Sequence, residues 1–482
     1  MGSEAAPHQL RIFFFPYMAA GHMIPMLDMA KLFAGRGVAS TIITTPSNTA
    51  LVTSTIRRAN SNSISLLCLP LPPAAHTGLP DGWDASASIG HLDFQSVHHA
   101  VALLRRPIHH LLADHQPDCL ISDMFLPWTT DIAHELGIPR LIFHGMGFFS
   151  LCVLHHLEHC RPQDNVASDD KPFIVPGLPH PIEMTRSHLP APLKSNTDFN
   201  RLLEEMHEAE AESYGVVVNS CYEMEPQYAE HYTKIIGKKA WCVGPVSLCD
   251  KSATYTVERV GEKASVDHGG CLAWLDSKKP RSVLYVCFGS LIQFTAAQLG
   301  EIALGLQASG RAFVWVVRAE GAEAVERLSE GFEERSEGRG MIIRGWAPQV
   351  LILNHEAVGG FLTHCGWNSV LEGVSAGVPM VTWPIFADQS FNEKLVVDVL
   401  EIGVRVGARI AGEGEEMVVK SEKIDRAVDW VMGSGEEADG RRTRARRLGE
   451  VARRAVEEGG SSYKDVGRLM EELMLAPERV RE

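Results

Sequence analysis

The chain has 482 residues, 45% of them hydrophobic and 22% charged, with a formal net charge of −15. Such a length exceeds one ordinary core and points to two large domains, while the acidity argues against a general affinity for nucleic acid or anionic membrane. No run approaches the ~20 apolar residues of a membrane span.

In chain order, the N-terminus lacks a basic segment ahead of its short apolar run, so no secretory signal is expected. Residues 11–17 (RIFFFPY) read as a buried parallel strand. A helical pattern through Phe33 follows, with Pro25 early in it and Gly35 and Gly37 stopping it. The β-branched run 38–45 (VASTIITT) is the next strand, and the rhythm continues with strands at CLISDM, RLIFHG and YGVVVNS. Alternation of this kind predicts an open parallel sheet with helices on both faces. Residues 249–270 are polar, charged and poor in apolar side chains, as an interdomain linker is.

The pattern restarts with strands SVLYVCFGS, RAFVWVVR, MIIRGW, VGGFLTH and PMVTWP, and with helices AAQLGEIALGLQAS and NSVLEGVSAG. The expected fold class is α/β, two doubly wound domains facing across a cleft. Their bounds are residues 1–248 for the first half and 271–460 for the second, with 461–482 a last helix. The basic run RRTRARR lies amid acidic residues and reads as a solvated helix face. Ten cysteines without a CxxC pair suit reduced thiols of a cytosolic protein.

Residues 346–389 carry most of the chemistry. Gly366, Asn368 and Ser369 sit where a strand turns into a helix, a position whose free amides and dipole suit an anion. His364 just upstream can donate to a phosphate oxygen, although Ser369 and Glu372 also have the spacing of a capping box. Glu372 lies one turn along and could accept from both hydroxyls of a ribose. Trp346 follows a strand, placing an indole where a flat base could stack, unless it is simply core. Asp388 and Gln389 offer the acid and amide that vicinal sugar hydroxyls need.

Together these residues resemble the signature box of plant secondary-product UDP-glycosyltransferases, from its opening Trp-x-Pro-Gln through His-Cys-Gly-Trp-Asn-Ser to its closing Asp-Gln. The segments FFPYMAAGHMIPMLDMAKLFAGRG, ISDMFLPWTTDIA and YVCFGS extend the likeness over nearly the whole chain. DMFLPW and FADQ resemble the branch acting on flavonoids, coumarins and triterpenoid or steroidal aglycones. The resemblance implies the GT-B fold, with the last helix crossing back onto the first domain. It also implies that Trp346, beside Ala347, stacks on uracil while Gln349 and Glu372 hold the ribose. His364, Gly366, Asn368, Ser369 and Ser290 would bind the diphosphate, and Trp367, Asp388 and Gln389 the hexose. Gln at the last position accompanies glucose donors, so UDP-glucose is the expected co-substrate.

His22 and Asp123 each follow a strand at the carboxyl edge where open α/β sheets place their chemistry. The resemblance makes them a general base and its partner, attacking through an acceptor oxygen with inversion. Gly21, Phe125 and Phe148 are expected on the acceptor wall, with further apolar wall from residues 184–193. No Asp-x-Asp pair is present, so neither a metal nor another cofactor is expected, and departing UDP would rely on the helix at Ser369 and on His364. The expected partners are UDP-glucose and a small lipophilic acceptor, the protein acting as a monomer. Two other functions share these features: a sugar-nucleotide epimerase, and a binding protein without turnover. Cys152, His155, His156, His159 and Cys160 have helical spacing that could hold zinc, but buried cysteine and surface histidine explain them as well. The turn GMGFFS is an incomplete dinucleotide fingerprint.

Overall fold

The computed structural model describes residues 8–59, 63–79, 94–195, 198–249, 268–317, 332, 336, 338–408 and 418–475. The expected linker therefore lies, beyond Cys249 and up to residue 267, outside the described residues, as does the end of the chain after 475.

Two parallel sheets organise the chain. The first has seven strands in the spatial order Ile64–Cys68, Ala39–Thr44, Arg11–Phe15, Cys119–Asp123, Arg140–His144, Gly215–Val218 and Ala240–Cys242. In the second the order is Gly340–Arg344, Ala312–Val317, Val283–Cys287, Val358–Thr363, Met380–Thr382 and Gly403–Arg405. Strands such as Cys119–Asp123 and Val358–Thr363 are buried along their whole length, as a sheet covered on both faces requires. In each sheet the strand order reverses beside the first strand, and the crevice outside the strand ends at that point is where open α/β folds bind ligands. Asp123 lies at that crevice in the first sheet, and the segments after Cys287 and Thr363 open on it in the second.

One continuous cluster of buried side chains joins the two halves, from Phe148 and Val216 to Trp367, Phe391 and Tyr285. The last helix, Ser461–Leu475, packs on Ala240–Cys242 of the first sheet. Asp465 Oδ2 accepts from the Cys242 amide at 3.0 Å, and Val466, Leu469 and Leu473 enter the N-terminal core. The basic run belongs to helix Glu436–Val456; its face is not purely solvated, because Arg442 Nη1 donates to the Val431 and Gly433 carbonyls. Among the described residues no helix is long and apolar enough to cross a membrane.

The first helix runs Ala20–Ala34, beginning ahead of His22, which was expected to precede it, and taking in Pro25. His22 is therefore in the helix's first turn, not in the loop before it. Pro25 has no N–H to give the Gly21 carbonyl one turn back. That carbonyl accepts instead from Asn368 Nδ2 of the second domain, at 2.7 Å. The proline survives inside the helix because another domain supplies the missing donor.

Candidate active site

A cavity of about 760 Å³ opens between the sheets, lined by Gly21, His22, Phe125 and the Pro190–Leu193 stretch from one domain. The other domain lines it with Ser290, Trp346, Ala347, Gln349, His364, Gly366, Trp367, Asn368, Ser369, Glu372, Asp388 and Gln389. Residues far apart in sequence thus share one chamber.

His22 Nδ1 lies 2.8 Å from Asp123 Oδ2, with the His22 side chain 21% exposed and Asp123 wholly buried. The Asp123 carboxylate is held from its other oxygen by the Phe125 amide at 3.0 Å. Burial pulls the His22 pKa down, but the charge and hydrogen bond of Asp123, with the charge of Asp388 behind them, outweigh it and leave the pKa raised. With Nδ1–H donated to the carboxylate, Nε2 is the nitrogen left to take a proton. The rings of Tyr17 and Phe125 pack around the imidazole at 5.9 and 5.3 Å, and Gly145 leaves it room, since a Cβ there would sit 3.1 Å from the ring.

Arg140, missed in the sequence because it looked like an ordinary strand start, braces this corner from beneath. It is 2% exposed and donates to Ser122 Oγ, Thr130 Oγ1 and the carbonyls of Asp123 and Leu126. Burial pushes its pKa down to about 9, against the pull of Asp123, Glu210 and Asp131, so it is still a cation at neutral pH.

On the facing side, helix Trp367–Ala376 begins at Gly366 with no side-chain cap, so its first-turn amides keep their donors. Ser369 is the third helical residue and not the cap; its Oγ accepts from Gln349 Nε2 at 3.1 Å. The capping-box reading of Ser369 and Glu372 is thus replaced by a cluster in which Gln349 also donates to Glu372 Oε2 at 2.8 Å. Two glycines cradle the His364 ring: a Cβ would lie 2.7 Å from it at Gly289 and 2.5 Å at Gly366. Burial lowers the His364 pKa to about 4, keeping the ring neutral, and its Nδ1 finds no hydrogen-bond partner among the described residues. Trp346 is half-buried on the cavity wall, just past Gly345 at a φ of +92°.

Asp388 stands just before the short helix Gln389–Lys394 without a capping hydrogen bond from its side chain; it is half-buried, and burial raises its pKa to about 6. Gln389 Oε1 accepts from the Ile385 and Phe386 amides at 2.9 and 3.1 Å, which leaves its Nε2 as the group to offer a ligand.

One expectation needs correction. Phe148 does not line the cavity; it is 1% exposed and packs edge-on against Tyr232 in the core, because its helix turns that first residue inward. Met146 and Leu154 line the wall there instead, joined by Phe199, Leu203 and Met206 of helix Asp198–Glu212. The i, i+4, i+7 spacing of those three was a readable signal. Trp367 has its indole committed elsewhere: it is 3% exposed and its Nε1 donates to the Asn219 carbonyl across the cleft at 2.8 Å. A sugar hydroxyl cannot have that donor in this arrangement. The turn GMGFFS is plugged by the protein itself, Glu225 accepting from the Phe148 and Phe149 amides at 3.1 and 2.8 Å. As for zinc, no three candidate ligands converge among the described residues. His155 stacks on His159, His156 Nε2 meets His231 Nε2 at 2.8 Å, and buried Cys152 donates to the Tyr228 carbonyl.

Residues 266–432 match the family model described as UDP-glucoronosyl and UDP-glucosyl transferase. The chain is 52% identical to a scopoletin glucosyltransferase of Nicotiana tabacum, over 96% of this chain and 98% of that protein. It is 49% identical to UDP-glucose flavonoid 3-O-glucosyltransferase 7 of Fragaria ananassa, over 96% of each. The crystal structure of Glycyrrhiza uralensis UGT73P12 complexed with glycyrrhetinic acid 3-O-monoglucuronide superposes with a TM-score of 0.91 at 41% identity, covering 97% of this chain and 96% of that one. With two parallel-sheet domains facing across one cleft, and likeness over nearly its whole length, the chain belongs to the UDP-glycosyltransferase family and has its GT-B fold.

Proposed function

We propose that the protein transfers glucose from UDP-glucose to a hydroxyl of a small lipophilic acceptor, with inversion at the anomeric carbon. The observation that carries this reading is the His22–Asp123 contact of 2.8 Å on the wall of the chamber that the 346–389 box lines from the other side. His22 Nε2 takes the acceptor proton as the oxygen attacks C1 of the α-linked glucose. Asp123 fixes the tautomer and offsets the imidazolium charge, the task an aspartate performs in other histidine-based sites. The glucose–phosphate bond breaks with oxocarbenium character, and the departing diphosphate meets the uncapped helix at Gly366 and neutral His364. Gln349 and Glu372, already bonded to each other, are placed for the ribose, and Trp346 for the base.

An acceptor of phenolic or terpenoid class suits the wall of Phe125, Met146, Leu154 and Phe199. The named relatives act on scopoletin and flavonoid, which supports the same class here. All ten cysteines are free, six of them buried, which supports a reducing compartment. Incubation with UDP-glucose, with and without a panel of phenols and aglycones, tests the reading by mass spectrometry. A glucoside is expected; an isomerised sugar nucleotide would mean an epimerase, and no product a binding protein. His22→Ala should keep UDP-glucose binding and lose about 10²–10⁴-fold in turnover with a weakly acidic hydroxyl. Near-normal turnover would remove His22 from the role of base.

A further inference from the structure

Asn392 does not itself line the cavity, yet its side chain is completely buried, and its amide oxygen and both N–H donors are engaged. One amide has an acceptor oxygen and two N–H donors. Oδ1 accepts from Ser150 Oγ at 2.8 Å, in helix Phe148–Cys160 of the first domain. Nδ2 donates to the Cys365 carbonyl at 2.9 Å and to Asp388 Oδ2 at 2.8 Å. The amide's orientation follows from its partners: a carbonyl and a carboxylate can only accept, so both must face Nδ2, leaving Oδ1 for the hydroxyl. Cys365 holds a φ of +66°, a conformation that a non-glycine residue keeps only when its surroundings impose it.

We propose that Asn392 is a positioning residue: it aims the Asp388 carboxylate at the transferred hexose and ties that aim to domain contact through Ser150. The inference rests on the reading of Asp388 as a hexose contact. Asp388 is half-buried, and burial works against its charge while the Asn392 hydrogen bond works for it. The other ionisable groups facing this corner are few. His22 comes from the first helix and Cys365 from the box, while Glu393 is turned away to Thr382 and Arg405. Removing the amide therefore leaves Asp388 with its own backbone amide and the His22 charge to favour its ionised form.

Calorimetric binding of UDP-glucose and of UDP, without acceptor, separates aim from mere packing. The series is run at pH 6, 7 and 8 on the full chain and on Asn392→Ala, Asn392→Ser, Ser150→Ala and Asp388→Asn. For Asn392→Ala, UDP affinity should stay within about twofold while UDP-glucose weakens about tenfold at pH 6 and 7, the worth of one hydrogen bond to a charged group. The loss should shrink at pH 8, where Asp388 ionises unaided. Asn392→Ser covers the case in which the alanine variant does not fold, and should fall between wild type and alanine. Ser150→Ala should weaken UDP-glucose about threefold and leave UDP alone; no effect there would overturn the link to domain contact. Equal losses for UDP and UDP-glucose at every pH, or no loss in either Asn392 variant, would overturn the positioning role. If Asp388→Asn binds UDP-glucose as wild type does, the reading of Asp388 fails beneath it. A loss in Asp388→Asn without one in the Asn392 variants sinks this proposal alone.

Discussion

Gly147 lies close against Trp367 of the other domain, and adding one methyl group there tests how the domains dock. Its backbone, at φ −81° and ψ 167°, suits any residue, so only space decides. A Cβ would lie 2.5 Å from Cζ2 and Cη2 of Trp367 and 2.9 Å from Glu225 Oε1, where carbon contacts want ~3.5–4.0 Å. Neither neighbour can yield cheaply. The indole is anchored to the Asn219 carbonyl at 2.8 Å, and the carboxylate is held by the Phe148 and Phe149 amides and by Ser220 Oγ. Overpacking costs about 1–3 kcal/mol, and a strained or broken Trp367–Asn219 bond adds about 1 kcal/mol. If turnover needs docked domains, Gly147→Ala should lose about 30- to 1,000-fold in kcat/KM for UDP-glucose, at about 1.4 kcal/mol per tenfold. At about 2–4 °C per kcal/mol, the same cost should lower Tm by about 4–16 °C. Steady-state kinetics and a thermal melt give both numbers. The decisive comparison is a double-mutant cycle: in a Trp367→Ala background the added methyl should lose most of its penalty, keeping only the part that the 2.9 Å approach to Glu225 Oε1 imposes. A full penalty persisting there, or wild-type kinetics in Gly147→Ala itself, would refute the assignment of the clash to Trp367.

Other consequences follow from the same coordinates. Asp123→Asn removes the charge that raises the His22 pKa, so the acidic limb of the kcat/KM profile should move to lower pH while turnover drops by about 10²–10⁴-fold. The stability linkage has a fixed sign. A His pKa raised on folding gives stabilisation that is full below the unfolded value of about 6.5 and lost as pH climbs through the folded value. Melts of Asp123→Asn should therefore lose that pH dependence. Leu469→Ala in the last helix deletes a fully buried side chain of the N-terminal core and should cost about 2–5 kcal/mol in denaturant unfolding, without changing the ratio of UDP-glucose to UDP affinity. Gln389→Ala frees two loop amides that its Oε1 now satisfies. It should raise KM for UDP-glucose by about three- to tenfold, the worth of a net hydrogen bond, with UDP inhibition unchanged.

The two parallel sheets and the strand-end position of the donor box were legible in the sequence because they rest on local pattern. A β-branched run, a glycine turn and a helix start are each written within about ten residues. What was not legible is what depends on long-range pairing. Phe148 looked like a pocket residue because a turn precedes it, but the facing of one helix is set by Tyr232, over eighty positions away. The indole of Trp367 has its partner, the Asn219 carbonyl, in the other domain, which no spacing shows. His22 was read as preceding the first helix, with Pro25 early in it; the helix begins at Ala20, and the Gly21 carbonyl that Pro25 cannot serve takes its donor from Asn368. Asn392 gave no signal at all: one buried amide after Asp-Gln has no spacing to betray it.

These misses share a cause that bears on catalysis. Three polar side chains in or just after the box are spent on the opposite domain: Trp367 on Asn219, Asn368 on Gly21, and Asn392 on Ser150. Asn368 is the neighbour in sequence of Ser369, at the helix start suited to a diphosphate, and Gly21 is the neighbour of His22. A single hydrogen bond of 2.7 Å therefore ties the proposed leaving-group site to the proposed base. Attack in line with departure demands reacting atoms held about 3–3.5 Å apart, which neither domain can specify alone. With the proposed base and anion site on separate sheets, that distance would have to be set by contacts between the sheets. The box is consequently read correctly only when its members are divided into those that face the ligand and those that hold the other domain in register.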